Sequence, residues 1–129
     1  MIVETSAFVA VILQEQGWER LYAMMFENEC RMSAPSWVEV NMVLLGRLGE
    51  SGREDAQRLK RAIRLEIVPF NESHAEAAIN GFLAYGKGRH PASLNYGDVL
   101  SYAIAKETTE PLLFVGDDFP QTDVESAGP

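Results

Sequence analysis

The run Tyr85-Gly86-Lys87-Gly88-Arg89-His90-Pro91-Ala92-Ser93-Leu94-Asn95-Tyr96-Gly97-Asp98 packs three basic side chains, Lys87, Arg89 and His90, into a glycine-punctuated loop and leads straight into a helix start carrying one carboxylate. Cations beside an acid suit a protein that holds a metal ion and also a polyanion. Before the run, Asn71 predicts the cap of a helix over 72–85 that Gly86 closes. After it, Asn95 predicts the cap of a helix over about 96–108, which returns to an apolar strand, Pro111–Val115. The run therefore joins two helices, and the second feeds a strand.

Working outward, the same alternation fills the chain. Met1–Val3 and Cys30–Ala34 read as strands, and Glu66–Phe70 as a third, with Pro69 placing it near an edge. Thr5 or Ser6 caps a helix through about Leu13; a second helix covers 17–28. Pro35 opens a third, to about Leu48. Glu50-Ser51-Gly52 breaks the chain before a charged helix over 53–65. Strands alternating with helices predict a three-layer α/β arrangement, a mainly parallel central sheet flanked by helices. The expectation is a single domain over 1–129, with a polar tail from about Pro120 ending in disorder.

With eleven Lys+Arg against nineteen Asp+Glu, the formal charge is -8. Such a field repels nucleic acid and anionic membrane, so any nucleic-acid contact must be a local basic patch. One cysteine, Cys30, excludes an internal disulfide and suits a reducing cytoplasm. No apolar run is long enough to span a bilayer, and no signal peptide is expected.

Strand order places the acids. Glu4 and Asp117 follow strands, Glu39 lies near the start of the helix leaving the second strand, and Asp98 opens a helix antiparallel to the strand it feeds. All four are expected at the carboxyl edge of the sheet, where open α/β sheets bind ligands. Clustered carboxylates repel unless a cation joins them, and Mg²⁺ or Mn²⁺ suits hard oxygen donors. Such a site activates water and clamps phosphodiester oxygens. Each acid also has an ordinary reading. Asp98 stands three residues after Asn95, as in a capping box. Glu4 could simply start a helix, and Asp117 and Asp118 could be turn residues. Glu39 is harder to dismiss, because its helical neighbours include Pro35, Met42 and Val43. His74 and Cys30 read as structural. Lys87, Arg89 and His90, flanked by Tyr85 and Tyr96, offer phosphate contacts plus stacking to single-stranded RNA; the ordinary alternative is a solvated loop. Arg58, Lys60, Arg61 and Arg64 read first as a solvated or partner-facing helix face, and second as an RNA contact. A phosphotransfer receiver is disfavoured, since no acid pair follows the first strand and no lysine follows the last.

Four stretches, Met1–Ala7, Ser33–Val40, Tyr85–Asp98 and Pro111–Val124, resemble PIN-domain ribonucleases, specifically the VapC toxins of bacterial VapBC toxin–antitoxin pairs. The resemblance covers nearly the whole chain. It implies a PIN-like fold and a Mg²⁺- or Mn²⁺-dependent endoribonuclease using one or two ions. It further implies a cytoplasmic homodimer, neutralised by a VapB antitoxin that the apolar helices up to Leu48 could receive, with transfer or ribosomal RNA as substrate. Carried over by position, the acids are Glu4, Glu39, Asp98 and Asp117, with Asp118 as the alternative to Asp117. Thr5 or Ser6 would support the first carboxylate. One departure stands out: the family's opening Asp-Thr-Ser-Ala reads Glu-Thr-Ser-Ala here. An added methylene moves a carboxylate by more than an ångström, and misplacement on that scale costs roughly a hundredfold in rate. The alternative expectation is thus a catalytically impaired module that still binds antitoxin and RNA.

Overall fold

The computed structural model describes residues 1–128. Its elements are β1 (Ile2–Val3), α1 (Thr5–Leu13), α2 (Trp18–Glu27), β2 (Arg31–Ser33), α3 (Ala34–Leu48), α4 (Glu50–Ala62), β3 (Glu66–Val68), α5 (Glu72–Tyr85), α6 (Tyr96–Thr108) and β4 (Leu112–Leu113). The four strands are all parallel, in the order β3-β2-β1-β4. Parallel neighbours need crossover connections, and the helices supply them.

Side-chain alternation along the short strands divides the core in two. Val3, Met32 and Leu113 pack with α1 to α4, whereas Ile2 and Leu112 pack with α5 and α6. Successive strand residues face opposite sides of a sheet, so two residues per strand suffice to anchor both helical layers. Helix α6 is deeply enclosed, with Val99 through Ala105 all buried. The small side chains of Ala103 and Ala105 let it lie close to the sheet.

The expected fold class holds, with corrections at element ends. Glu4, rather than Thr5 or Ser6, is the N-cap of α1. Helix α4 starts at Glu50, because the turn falls on Gly49 (φ 68°, ψ -151°); Ser51 and Gly52 lie inside the helix. It ends by Ala62, where Arg64 takes a positive φ of 54°. The strands are shorter than their apolar runs. Ser33, the last residue of β2, already caps α3, and β3 stops at Val68 before Pro69, which has no N–H to pair. Val115 lies beyond β4, its N–H donated to the Ser6 hydroxyl at 2.9 Å.

The tail is ordered where disorder was expected, although Pro129, the last residue of that expectation, lies outside the described residues. Ser126 bridges Leu112 in parallel. Leu112 N–H donates to Glu125 O at 2.8 Å and Ala127 N–H to Leu112 O at 2.9 Å. The tail thus covers the otherwise open edge of β4, which is how sheets avoid unpaired edges. The Tyr102 hydroxyl and Lys106 ammonium both donate to Asp123 at 2.8 Å, fastening the tail to α6. Among the described residues, no helix is long and apolar enough to cross a membrane.

Candidate active site

The carboxyl edge of the sheet gathers acids from separate segments, each fixed by local chemistry. Glu4 leaves β1 in an extended conformation (φ -83°, ψ 154°) and turns back over α1. Its Oε2 accepts from the Ser6 N–H at 2.7 Å and from the Ser6 hydroxyl. Because Ser6 Oγ also accepts from Val115 N–H, one hydroxyl couples the end of β1 to the chain leaving β4. The expectation that Thr5 or Ser6 supports the first carboxylate resolves into a division of labour. Ser6 serves Glu4, while Thr5 Oγ1 donates to Glu39 Oε1 at 2.7 Å.

Asp98 keeps its capping role. Its backbone N–H donates to Asn95 Oδ1 at 2.9 Å, and its own Oδ2 accepts from Asn95 N–H at 3.0 Å. The ordinary capping reading is met, and the box occupies one of the two carboxylate oxygens.

The acids at this edge feel one another's charge. Burial pushes the Glu4 carboxyl up to about 7; the Ser6 hydrogen bonds oppose this, and the charges of Asp98 and Glu39 add to it. Glu4 is 4% exposed. Burial also raises Asp98, against the pull of the Asn95 N–H, and the charges of Asp118 and Glu39 raise it further. Glu4, Glu39 and Asp98 therefore sit within one another's field, with Asp118 reaching Asp98. Asp117 instead lines a cleft with Arg20, Met24 and Pro120. Among the described residues no ion pair within 4 Å involves any of these acids.

The basic loop is pinched shut by Lys87 N–H to Leu94 O (2.8 Å) and Leu94 N–H to Tyr85 O (2.9 Å). Lys87 and Arg89 are exposed at its tip. The His90 ring is turned inward: Nδ1 accepts from Ala92 N–H at 3.0 Å, and the ring meets Tyr85 edge-on at 5.1 Å. Tyr85 is half-buried between His90 and Tyr102. Tyr96 is 77% exposed and lines an open groove of about 650 Å³ with Val38, Met42, Phe70 and Glu39. The two tyrosines thus differ: Tyr85 braces the loop and Tyr96 faces outward.

Comparison with known proteins now carries weight. A PIN-domain family model matches residues 1–125. This chain belongs to the PIN-domain family of VapC ribonucleases. It is 45% identical to ribonuclease VapC36 of Mycobacterium tuberculosis, with 99% of this chain and 94% of the relative covered. Ribonuclease VapC of Mycolicibacterium smegmatis is 39% identical, with 96% and 97% covered. The crystal structure of Mycobacterium tuberculosis VapC20, a sarcin-ricin loop cleaving toxin, superposes with a TM-score of 0.78 over 99% of this chain and 98% of that one. At 16% identity that likeness speaks to the fold alone.

The acids of this PIN domain fit a divalent cation in chemistry rather than in closed geometry. Among the described residues, no three of His, Cys, Asp and Glu converge as a ready ligand set. Ser6, Thr5 and Asn95 each engage one carboxylate oxygen. What remains is hard-oxygen donors with unneutralised negative charge, the donor set that Mg²⁺ and Mn²⁺ select.

Reading the sequence overlooked Ser33, Ser36 and Ser101. Ser33 Oγ donates to Ser36 Oγ at 2.7 Å, and Ser36 Oγ lies 3.4 Å from Ser101 Oγ; all three are buried. The available signal was spacing, since Ser36 precedes Glu39 by three residues and Ser101 follows Asp98 by three. Cys30 and His74 are structural, as expected. Cys30 is buried, its thiol pushed up to about 11 by burial, and His74 links Asn71 N–H to Glu107.

Proposed function

We propose that this chain is a Mg²⁺- or Mn²⁺-dependent endoribonuclease toxin, a single cytoplasmic domain acting as a homodimer and neutralised by a VapB-type antitoxin. The observation that supports this reading is the mutual electrostatic influence of Glu4, Glu39 and Asp98 at the carboxyl edge of the sheet. They come from three distant segments, and among the described residues no basic side chain pairs with them. Glu4, Glu39 and Asp98 would hold the cation, with Asp118 rather than Asp117 as the fourth acid. Bound there, the cation would activate water and neutralise charge on the phosphodiester. The protein's own groups prepare that event. Ser6, Thr5 and Asn95 fix the carboxylate rotamers in advance, so little reorganisation is left to the reaction. Lys87 and Arg89 supply a local cationic grip on the RNA backbone that the acidic body lacks, and Tyr96 offers a face for a base to stack on. Stable structured RNA, ribosomal or transfer, is the proposed substrate class. Replacing Asp98 with Asn is expected to abolish Mg²⁺-dependent cleavage of such RNA while the fold persists.

One observation favours a second reading, an impaired module that retains antitoxin and RNA binding. Glu4 spends an oxygen capping α1 through both the N–H and the hydroxyl of Ser6. Its longer side chain has to fold back to do so. A Glu4→Asp variant decides between the two. Under the second reading it cleaves roughly ten- to a hundredfold faster than wild type; under the first, the wild type already cleaves at a comparable rate.

A further inference from the structure

Gly97, the second residue of α6, is buried and does not have a positive φ. Its backbone conformation therefore does not require glycine, and a glycine inside a helix is less stable than alanine. Space explains it. A Cβ at Gly97 would lie 3.0 Å from both Cδ and Oε1 of Glu39, and closer still to Oε2. Other close-packed glycines meet neutral partners: Gly52 faces the Leu44 backbone, and Gly81 the Tyr102 ring. Gly97 faces a carboxylate.

Two contacts make the Glu39 carboxylate costly to displace. Its Oε1 is held by the Thr5 hydroxyl at 2.7 Å. One helical turn away on each side, buried Ser36 and Ser101 bring their hydroxyls to 3.4 Å and hold α3 against α6. An added methyl must therefore displace the carboxylate from the position in which Thr5 holds it. We infer that Gly97 is a positioning residue: the absence of its side chain is the seat that sets the Glu39 carboxylate in the acidic cluster. The consequence for metal binding rests on the proposed nuclease reading; the packing itself does not.

The two are tested separately. Thermal unfolding of metal-free protein is compared for wild type, Gly97→Ala, Glu39→Ala and the double variant. Alanine at 97 should lower Tm by a few degrees in the wild-type background and raise it in the Glu39→Ala background, where helix propensity acts unopposed. Mn²⁺ titration by calorimetry should show affinity reduced at least tenfold in Gly97→Ala, and partly restored in Gly97→Ala/Glu39→Asp, whose carboxylate is one methylene shorter. A Tm change of the same sign in both backgrounds overturns the seat, as does undiminished Mn²⁺ affinity in Gly97→Ala. If Gly97→Ala does not fold, a folded Gly97→Ala/Glu39→Ala supports the seat and an unfolded one overturns it. A wild type that binds no Mn²⁺ while the sign reversal holds removes the nuclease reading and leaves the Gly97–Glu39 packing standing.

Discussion

At Glu4 three influences compete: burial and the neighbouring acids raise its pKa, while the Ser6 hydrogen bonds lower it, and burial wins. The folded protein then binds this proton more tightly than the unfolded chain, whose glutamate titrates near 4.5. The stabilisation is fully present below about 4.5 and is lost as pH rises through about 7. A shift of this size corresponds to about 3 kcal/mol. Asp98, also raised, acts in the same direction; Glu110 and Asp123 are lowered, so their opposite effect falls below that window. Urea midpoints of metal-free protein should therefore decline between pH 5 and pH 8. Glu4→Gln should flatten most of that decline, and an unchanged slope would show that Glu4 is not its source.

The same residue marks how far reading the chain could go. Its place at the end of β1 followed from an apolar run and a turn. Its partners did not, because Ser6 and Thr5 are both hydroxyls beside it, and only the direction of α1 decides that one serves Glu4 and the other Glu39. Asp117 and Asp118 posed a similar choice. Both follow β4, and the path of the chain into the Phe119–Gln121 turn leaves Asp118 nearer Asp98 in the electrostatic sense.

Elements with a chemical signal at their ends were legible. Asn71 and Asn95 cap α5 and α6 at the expected residues, each through a box closed from the third helical position. Asn95→Ala should cost about 1 kcal/mol in urea unfolding, and it also frees the Asp98 carboxylate from its fixed orientation. Ser51-Gly52 misled because breakers inside a helix look the same as breakers before it. Gly52 sits where its lack of a side chain lets α4 approach the Leu44 backbone. The tail was the larger miss. Its order comes from backbone pairing with Leu112 and from Tyr102 and Lys106 holding Asp123, contacts made across the fold and invisible in a polar local sequence. Asp123→Ala should release it, seen as faster hydrogen exchange at the Leu112 and Ala127 amides with α6 still protected.

On the scale of the whole molecule, a chain of net charge -8 acting on RNA as proposed would have to grip it locally. The exposed ends of Lys87 and Arg89 lie on a loop closed at its neck, so their position costs little further ordering on binding. The double variant Lys87→Ala/Arg89→Ala should raise KM for RNA several-fold with kcat nearly unchanged, and should lower the slope of log affinity against log salt. An equal loss in kcat would instead place these residues at the reacting phosphate. Strand and helix order alone was sufficient to expect the parallel sheet and its helical layers. It did not show that Glu4, Glu39 and Asp98 would each be held by its own hydroxyl or amide. Single-turnover cleavage of a structured RNA in Mg²⁺, run beside EDTA and beside Asp98→Asn, tests the proposed activity most directly. Cleavage by wild type in Mg²⁺ alone, lost in both controls, is the predicted result; cleavage that survives EDTA or Asp98→Asn, or none by wild type and Glu4→Asp alike, would contradict a carboxylate-held metal as the source of activity.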